Sequence, residues 1–237
     1  MLALFLRVPT PTEDEVIQEP RFDRSGLHAA LTGAGHRLGD AAHVRIFKRE
    51  KVLELWIAAA EGYRLFRSYD ICTFSGELGP KLAEGDRQAP EGFYRVGQKQ
   101  LNPNSRHHLA FNLGFPNALD RQLGRTGSAL MVHGGCSSIG CYAITDAGVD
   151  EVYAVLEAAL AAGQEAVDVH IFPFRMSDMA LAEAHDSSWY GFWQTLKHGH
   201  DLFERERRPP RVWACDGAYR FGPSAEGAQC AAIAAWS

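Results

Sequence analysis

Between Val44 and Cys72 the side chains alternate with a period of two, and short polar turns interrupt the alternation twice. Val44, Ile46 and Lys48 alternate with Arg45 and Phe47, and Arg49-Glu50-Lys51 turns the chain. Leu53, Leu55 and Ile57 then alternate with Val52, Glu54 and Trp56. Glu61-Gly62 turns again into a run from Tyr63 to Cys72. Successive side chains of a strand point to opposite faces, so these runs form a three-strand meander. A meander commits the chain to a sheet with other layers packed on it.

The remaining patterns extend that sheet. Gly92-Phe93-Tyr94-Arg95-Val96, Leu109-Ala110-Phe111-Asn112-Leu113, Ala129-Leu130-Met131-Val132 and Ala166-Val167-Asp168-Val169-His170-Ile171-Phe172 read as further strands. Residues 75–90 are broken by Gly76, Gly79, Pro80, Gly85 and Pro90, and should form an irregular surface loop. Asn102-Pro103-Asn104-Ser105-Arg106 reads as a turn, and Asp120 to Thr126 as a polar connection. Val149, Val152, Tyr153, Leu156 and Leu160 give a helix one apolar face, with Asp146 as N-cap and Gly163 as stop. A second helix carries Trp189, Phe192, Trp193 and Leu196, with Ser187 or Ser188 as cap and Gly199 as its end. The tail holds one strand pair, Val212-Trp213 with Tyr219-Arg220-Phe221.

Before the sheet, three prolines and four acids between Pro9 and Pro20 read as a solvated linker, so residues 1–22 are expected to be flexible. Asp23 or Ser25 caps a short helix over Leu27 to Leu31, making 23–42 a helical lead-in. The 237 residues have 46% hydrophobic and 22% charged content, an ordinary globular balance. A net charge of −5 leaves no basic stripe for nucleic acid. No stretch reaches the roughly 18 apolar residues of a membrane helix. Met1 to Leu6 is apolar, but it is too short and lacks the basic lead of a complete signal peptide.

The chemistry concentrates in His133-Gly134-Gly135-Cys136-Ser137-Ser138-Ile139-Gly140-Cys141, between the strand ending at Val132 and the helix after Asp146. A turn with three glycines can take positive φ and approach another group closely. It can bring Cys141 near His133 and expose backbone N–H groups beside the sulfur, the parts of a thiol nucleophile site. A protonated imidazole or a helix start would lower the thiol pKa. Taken alone, the same residues fit a buried structural thiol, a satisfied core histidine and a plain turn serine at Ser138.

Ser138-Ile139-Gly140-Cys141 preceded by His133-Gly134 resembles the L,D-transpeptidase (YkuD-like) catalytic domain. That family shows a His-Gly, a loop, then Ser-x-Gly-Cys. The short loop and Cys141-Tyr142-Ala143 are similar to its YafK-type branch. The resemblance runs from about Val44 to Pro210. It includes Ser75-Gly76-Glu77-Leu78-Gly79-Pro80-Lys81, Gly85-Asp86, Pro90-Glu91-Gly92-Phe93-Tyr94, Asn112-Leu113-Gly114-Phe115-Pro116-Asn117 and Phe172-Pro173-Phe174-Arg175-Met176. It implies a mainly β (α+β) fold, a curved mixed sheet or β-sandwich with two or three packed helices. The catalytic domain would span 43–210 and a C-terminal extension 211–237. It also implies Cys141 as nucleophile and His133 as base, its ring oriented by the Gly134 carbonyl. Gly140 and the Cys141 N–H are the implied oxyanion donors, and Ser138 holds the turn. Lys81, Arg106, Asn112 and Asp120, in or near loops facing the site, are candidates to bind a carboxylate or amide of a stem peptide. The arginine usual two positions after the cysteine is Ala143 here, a change the YafK-type branch shares.

The implied activity is acyl transfer on peptidoglycan stem peptides through a Cys141 thioester, at meso-diaminopimelate. An amidase would release protein linked there, such as a wall-linked outer-membrane lipoprotein; a transpeptidase would form such links. The alternative is a non-catalytic peptidoglycan-binding protein of the same fold. NlpC/P60-type peptidases carry cysteine before histidine, the reverse of the order here. The resemblance places the protein in the periplasm, and a monomer is expected, without metal or cofactor.

The five cysteines, Cys72, Cys136, Cys141, Cys215 and Cys230, fit one reactive thiol plus two bridges, or five thiols. Cys72 can pair with Cys136 and Cys215 with Cys230, but the connectivity is not readable from sequence. A Cys136–Cys141 bridge would instead switch the enzyme off. His133, Cys136 and Cys141 as zinc ligands lack a fourth ligand and a second C-x-x-C pair.

Overall fold

The computed structural model describes residues 22–236. The linker and apolar start expected before Phe22 lie outside the described residues. The lead-in is a helix, α1 (Arg24–Gly33), with Asp23 as N-cap accepting from Ser25 N–H at 2.9 Å. Its Leu27 and Leu31 are buried in the main core.

The meander forms β1 (Ala42–Phe47), β2 (Val52–Ala59) and β3 (Gly62–Phe74). It continues through β4 (Gly92–Val96), β5 (Leu101–Ser105), β6 (His108–Asn112), β7 (Met131–His133), β8 (Tyr142–Ile144) and β9 (Val167–Phe172). These nine strands make one curled mixed sheet in the order β4-β9-β1-β2-β3-β8-β7-β6-β5. The β1–β9 and β7–β8 pairs are parallel, and the other pairs are antiparallel. A long helix, α3 (Asp146–Ala161), packs its Val149, Val152, Val155 and Leu156 onto Val44, Ile46, Val167, Val169 and Ile171. The opposite face, with Phe47, Phe93 and Phe172, is covered by Trp193 and Leu196 of α5 (Tyr190–Glu206). Burying one such side chain is worth about 1.5–3 kcal/mol, so each face has a core of its own.

Two short helices, α2 (Ala118–Gln122) and α4 (Asp178–Glu183), add to the three longer ones. They are too brief to show a helical period, which is why two or three helices were expected and five are present among the described residues. The expected turn at 102–106 is mostly strand β5. Pro103 is tolerated there because β5 is the last strand of the sheet, where a missing N–H breaks no ladder. Gly199 does not end α5; the helix runs on to Arg207, which closes it at φ 51°. A Cβ at Gly199 would lie 2.5 Å from Phe93 Cζ and 2.6 Å from Phe221 Cε1, so this glycine serves close packing. The N-cap of α5 is Trp189 rather than Ser187 or Ser188, and that of α3 is Thr145 rather than Asp146. The tail is a three-stranded sheet, β10 (Val212–Cys215), β11 (Ala218–Phe221) and β12 (Cys230–Ala232), closed by Cys215–Cys230.

Residues 75–90 are irregular, as expected, but they are not merely a surface loop. Lys48, fully buried at the end of β1, donates from Nζ to the carbonyls of Glu77 (2.8 Å), Gly79 (3.0 Å) and Ala89 (3.1 Å). Its counter-charge is the equally buried Glu91, 3.1 Å away. Glu91 also accepts from Gly79 N–H at 2.6 Å and Trp193 Nε1 at 2.8 Å. The loop is therefore wrapped around one ammonium group. Among the described residues no helix is long and apolar enough to cross a membrane.

Candidate active site

Register decides which side chains share a face here. β7 and β8 run parallel with Val132 opposite Tyr142 and His133 opposite Ala143. Val132 and Tyr142 belong to the core that α3 covers. Side chains alternate along a strand, so Met131, His133, Cys141 and Ala143 face the other way together. Across β6, Ala110 pairs with His133 and Asn112 with Met131, which adds Asn112 to that face. On β3, Thr73 pairs with Ala143, and Ser75 lies just beyond.

The candidate base ends β7, and the candidate nucleophile immediately precedes β8, two residues before Ala143, the register partner of His133. His133 is 2% and Cys141 9% exposed. His133 Nδ1 lies 2.6 Å from its neighbour's carbonyl oxygen, Gly134 O. A carbonyl only accepts, so Nδ1 carries the proton and Nε2 is left as the acceptor. The Cys141 Sγ accepts from Met131 N–H at 3.4 Å and donates to Ala129 O at 3.6 Å. The thiol and the imidazole are not hydrogen-bonded to each other in this resting arrangement.

The turn between them is held at several points. Gly135 and Gly140 sit at φ 82° and 92°, as the glycine reading requires, and Cys136 also takes a positive φ of 46°. Gly135 N–H donates to Asp146 Oδ1 at 2.7 Å. Cys136 is bridged to Cys72 of β3, which removes it from any metal set and leaves Cys141 as the free thiol. Cys141 N–H donates to Ser138 Oγ at 2.9 Å, and the same hydroxyl donates to Cys141 O at 2.8 Å. Gly140 N–H donates to Ser75 Oγ at 2.5 Å, and Ser75 in turn donates to Arg87 O at 2.7 Å. Both N–H groups expected to stabilise an oxyanion thus carry serine hydroxyls in this state.

Burial pushes the Cys141 thiol above its ordinary range; the Met131 N–H, Ser138 and the charge of Lys81 offset part of this. Burial also lowers the His133 pKa, against the Gly134 carbonyl and with help from His107. Both shifts favour the neutral thiol and the neutral imidazole. The expected helix-start effect on the sulfur is absent because α3 begins only after β8, a three-residue strand that the sequence reading missed. A cavity of about 520 Å³ opens elsewhere, beside Arg95, Asp168, Arg211 and Ile233. Chemistry rather than concavity singles out the β7–β8 face.

A relative from Escherichia coli K12 named "Putative L,D-transpeptidase YafK" is 47% identical over 182 residues, spanning 77% of this chain and 74% of its own. The chain belongs to the L,D-transpeptidase family. The O157:H7 relative of the same name matches equally. No family model matches the chain. Among solved structures, the K307A variant of the helical cell shape determining protein Pgp2 from Campylobacter jejuni aligns with TM-score 0.47 at 19% identity, covering 79% of both chains. Mycobacterium tuberculosis L,D-transpeptidase 1 aligns with TM-score 0.32 at 12% identity, over 57% of this chain and 64% of its own.

The other residues singled out from the sequence of this L,D-transpeptidase homologue are scattered. Asn112 shares the thiol face, with Oδ1 accepting from Gly114 N–H at 2.8 Å. Lys81 is nearly buried; its Nζ donates to Ala83 O at 2.8 Å and pairs with Asp86, while its charge reaches the thiol. Arg106 is exposed at the β5–β6 turn. Asp120 is fully enclosed, accepting from Asn117 N–H, Arg125 Nη1 and Tyr94 Oη, and does not face the site. Sequence reasoning missed Ser75, Asp146 as a turn anchor, and His107. The His107 ring stacks on His133 with centroids 4.6 Å apart and planes at 29°. The doubled His107-His108 beside a turn was the available signal.

Proposed function

We propose that this protein is a cysteine acyl-transfer enzyme acting on peptidoglycan stem peptides, with Cys141 as nucleophile and His133 as base. One observation carries the reading. In a member of the L,D-transpeptidase family, the free thiol shares a sheet face with a buried imidazole whose Nδ1 is committed to Gly134 O. His133 Nε2 takes the thiol proton, and the thiolate attacks the carbonyl of an L-centre next to a D-centre. The C–N bond breaks, the imidazolium returns its proton to the leaving amine, and a thioester remains. An incoming carbonyl oxygen replaces the Ser138 hydroxyl on Cys141 N–H or the Ser75 hydroxyl on Gly140 N–H. Water then regenerates the thiol in an amidase, and an amine does so in a transpeptidase.

The YafK-type motif favours hydrolysis that frees a protein from meso-diaminopimelate. Two disulfides suit an oxidising compartment such as the periplasm. Lys81, Arg106 and Asn112 are proposed to recognise stem-peptide carboxylates or amides, Arg106 from the exposed turn and Asn112 from the thiol face. Mass spectrometry of muropeptides incubated with the protein tests the reading. Tripeptides released from a linked lysine mark the amidase and new dimers mark transfer; neither product would sink both.

The second reading is a peptidoglycan-binding protein that performs no chemistry. It draws on the hydroxyl-occupied amides, the raised thiol pKa and Ala143. It requires Cys141 to resist iodoacetamide and carbapenems, and Cys141→Ala to bind muropeptides like the parent.

A further inference from the structure

The turn between β5 and β6 lies directly against the stretch that carries the proposed base. Gly134 N–H donates to Leu109 O at 3.2 Å, and Ala110 is the register partner of His133. The turn is itself fixed, since His107 N–H donates to Ser105 Oγ at 3.0 Å. Its two adjacent histidines go to different partners. His108 sits at φ 66° and places Nε2 2.8 Å from Asp150 Oδ1 on α3. A bulky residue at positive φ is uncommon, and here the kink separates the two rings. It leaves His107 lying flat on His133, 4.6 Å between centroids and 29° between planes.

We propose that His107 is a positioning residue for the acyl-transfer reaction: its stacked ring fixes the plane of His133, so that any charge placed at position 107 bears directly on the base. The inference rests on the reading of His133 as the base of Cys141. Stacked aromatic rings attract while neutral. Once His133 accepts the thiol proton, a second cation at 4.6 Å would oppose it through Coulomb repulsion. His107 already depresses the proton affinity of His133, second to burial.

The other charged or titratable groups around the pair are otherwise engaged. Asp146 accepts from Gly135 N–H, Asp150 holds His108, and Lys81 is paired with Asp86. Arg106 projects from the exposed tip. Among the described residues, His107 is the titratable group whose ring lies against the base.

Cys141 is the free thiol beside two disulfides, so alkylation of the native oxidised protein reads its thiolate without any substrate. The experiment is the pH dependence of iodoacetamide alkylation for the parent, His107→Phe, His107→Lys, His107→Ala and His133→Gln, with urea unfolding to verify folding. His107→Phe keeps a flat ring without charge, and the acid limb of its profile should lie about half to one pH unit above that of His107→Lys. His107→Lys sets a fixed cation against His133, which keeps the imidazole deprotonated to lower pH. His107→Ala should lower the plateau rate by about 2- to 10-fold through loss of the stack. Folded Phe and Lys variants whose limbs coincide with each other, while His133→Gln alters the profile, overturn the role of His107 alone. A profile unchanged by His133→Gln overturns the base assignment and this inference with it.

Discussion

Two buried imidazole sites, on different strands of one sheet, show what separates the proposed base from a core residue. His133 lies beside the thiol. His43 on β1 and His170 on β9 lie under α5, 4.5 Å apart and packed against Phe203 and Phe93. His43 Nδ1 donates to Asp168 O at 2.8 Å, while His43 Nε2 and both nitrogens of His170 have no partner among the described residues. Burial takes His43 down to about 3 and His170 well below the usual imidazole range, with Arg45 adding to both. Burial favours the neutral form of all three rings. Of the three, only His133 has its proton-bearing nitrogen fixed by the adjacent residue's carbonyl while its ring shares a face with the free thiol. Desolvation alone therefore makes no base; what counts is the partner each ring is given.

The largest test of that contrast is activity. His133→Gln should lower muropeptide turnover about 10²–10⁴-fold, the usual worth of a general base. His170→Phe should leave turnover within about 3-fold, since removing unpaired buried polar atoms costs little once the shape is kept. Comparable losses in both would erase the distinction.

Next in size is the cross-link beside the thiol. Replacing Cys72 and Cys136 together by serine reopens a loop with a sequence separation of 64 residues. The chain-entropy argument puts the cost at about 4 kcal/mol, read as a lower urea midpoint. The core histidines should not sense the change, and an NMR shift of His43 larger than that of His133 would contradict this.

Acid sharpens the comparison further. His43 and His170 bind protons far more weakly folded than unfolded, so the stability they confer is complete above about pH 6.5 and drains away as pH falls toward 3. Asp168, pushed up to about 6 by burial, acts in the opposite sense: its contribution is present below its unfolded value and fades as pH rises through 6. The clean observable is a difference. The slope of unfolding free energy against pH between 6 and 4 should be shallower in His170→Phe than in the parent by about 1.4 kcal/mol per pH unit. Parallel slopes would mean that His170 charges as readily folded as unfolded.

The smallest expected effect is Ser75→Ala, which deletes the acceptor of Gly140 N–H. A single hydrogen bond of this kind contributes about 0.5–1.5 kcal/mol, visible as a midpoint shift without a change in m-value. No shift would mean that the hydroxyl is a spectator.

How much of this was legible beforehand depended on signal length. The meander, β9 and the apolar face of α3 each repeat their period several times, and the structure has them close to where the pattern put them. β8 spans three residues, and its neighbour β7 also three, so neither carries a period of its own. In the sequence the Cys72–Cys136 bridge is one option among several, because pairing follows from where β3 ends in space and not from spacing. Gly199 looked like a stop because its reason, contact with Phe93 and Phe221, comes from strands distant in sequence. The doubled His107-His108 stands out in the sequence, but its meaning does not, since the stack exists only in one register of β6 on β7. The approach of His133-Gly134 to Gly140-Cys141 was readable because a single glycine-bearing turn links them in the chain.

The ammonium of Lys48 has a consequence for the medium in which the protein works. Three carbonyl oxygens and one carboxylate gather round it like the ligand shell of a resident cation. A tethered centre of this sort can be neither chelated nor exchanged, and its low-dielectric surroundings shield it from added electrolyte. The strand-to-strand strap that bears Ser75 should therefore keep its shape in brine or in chelator solutions that would strip a calcium-built loop.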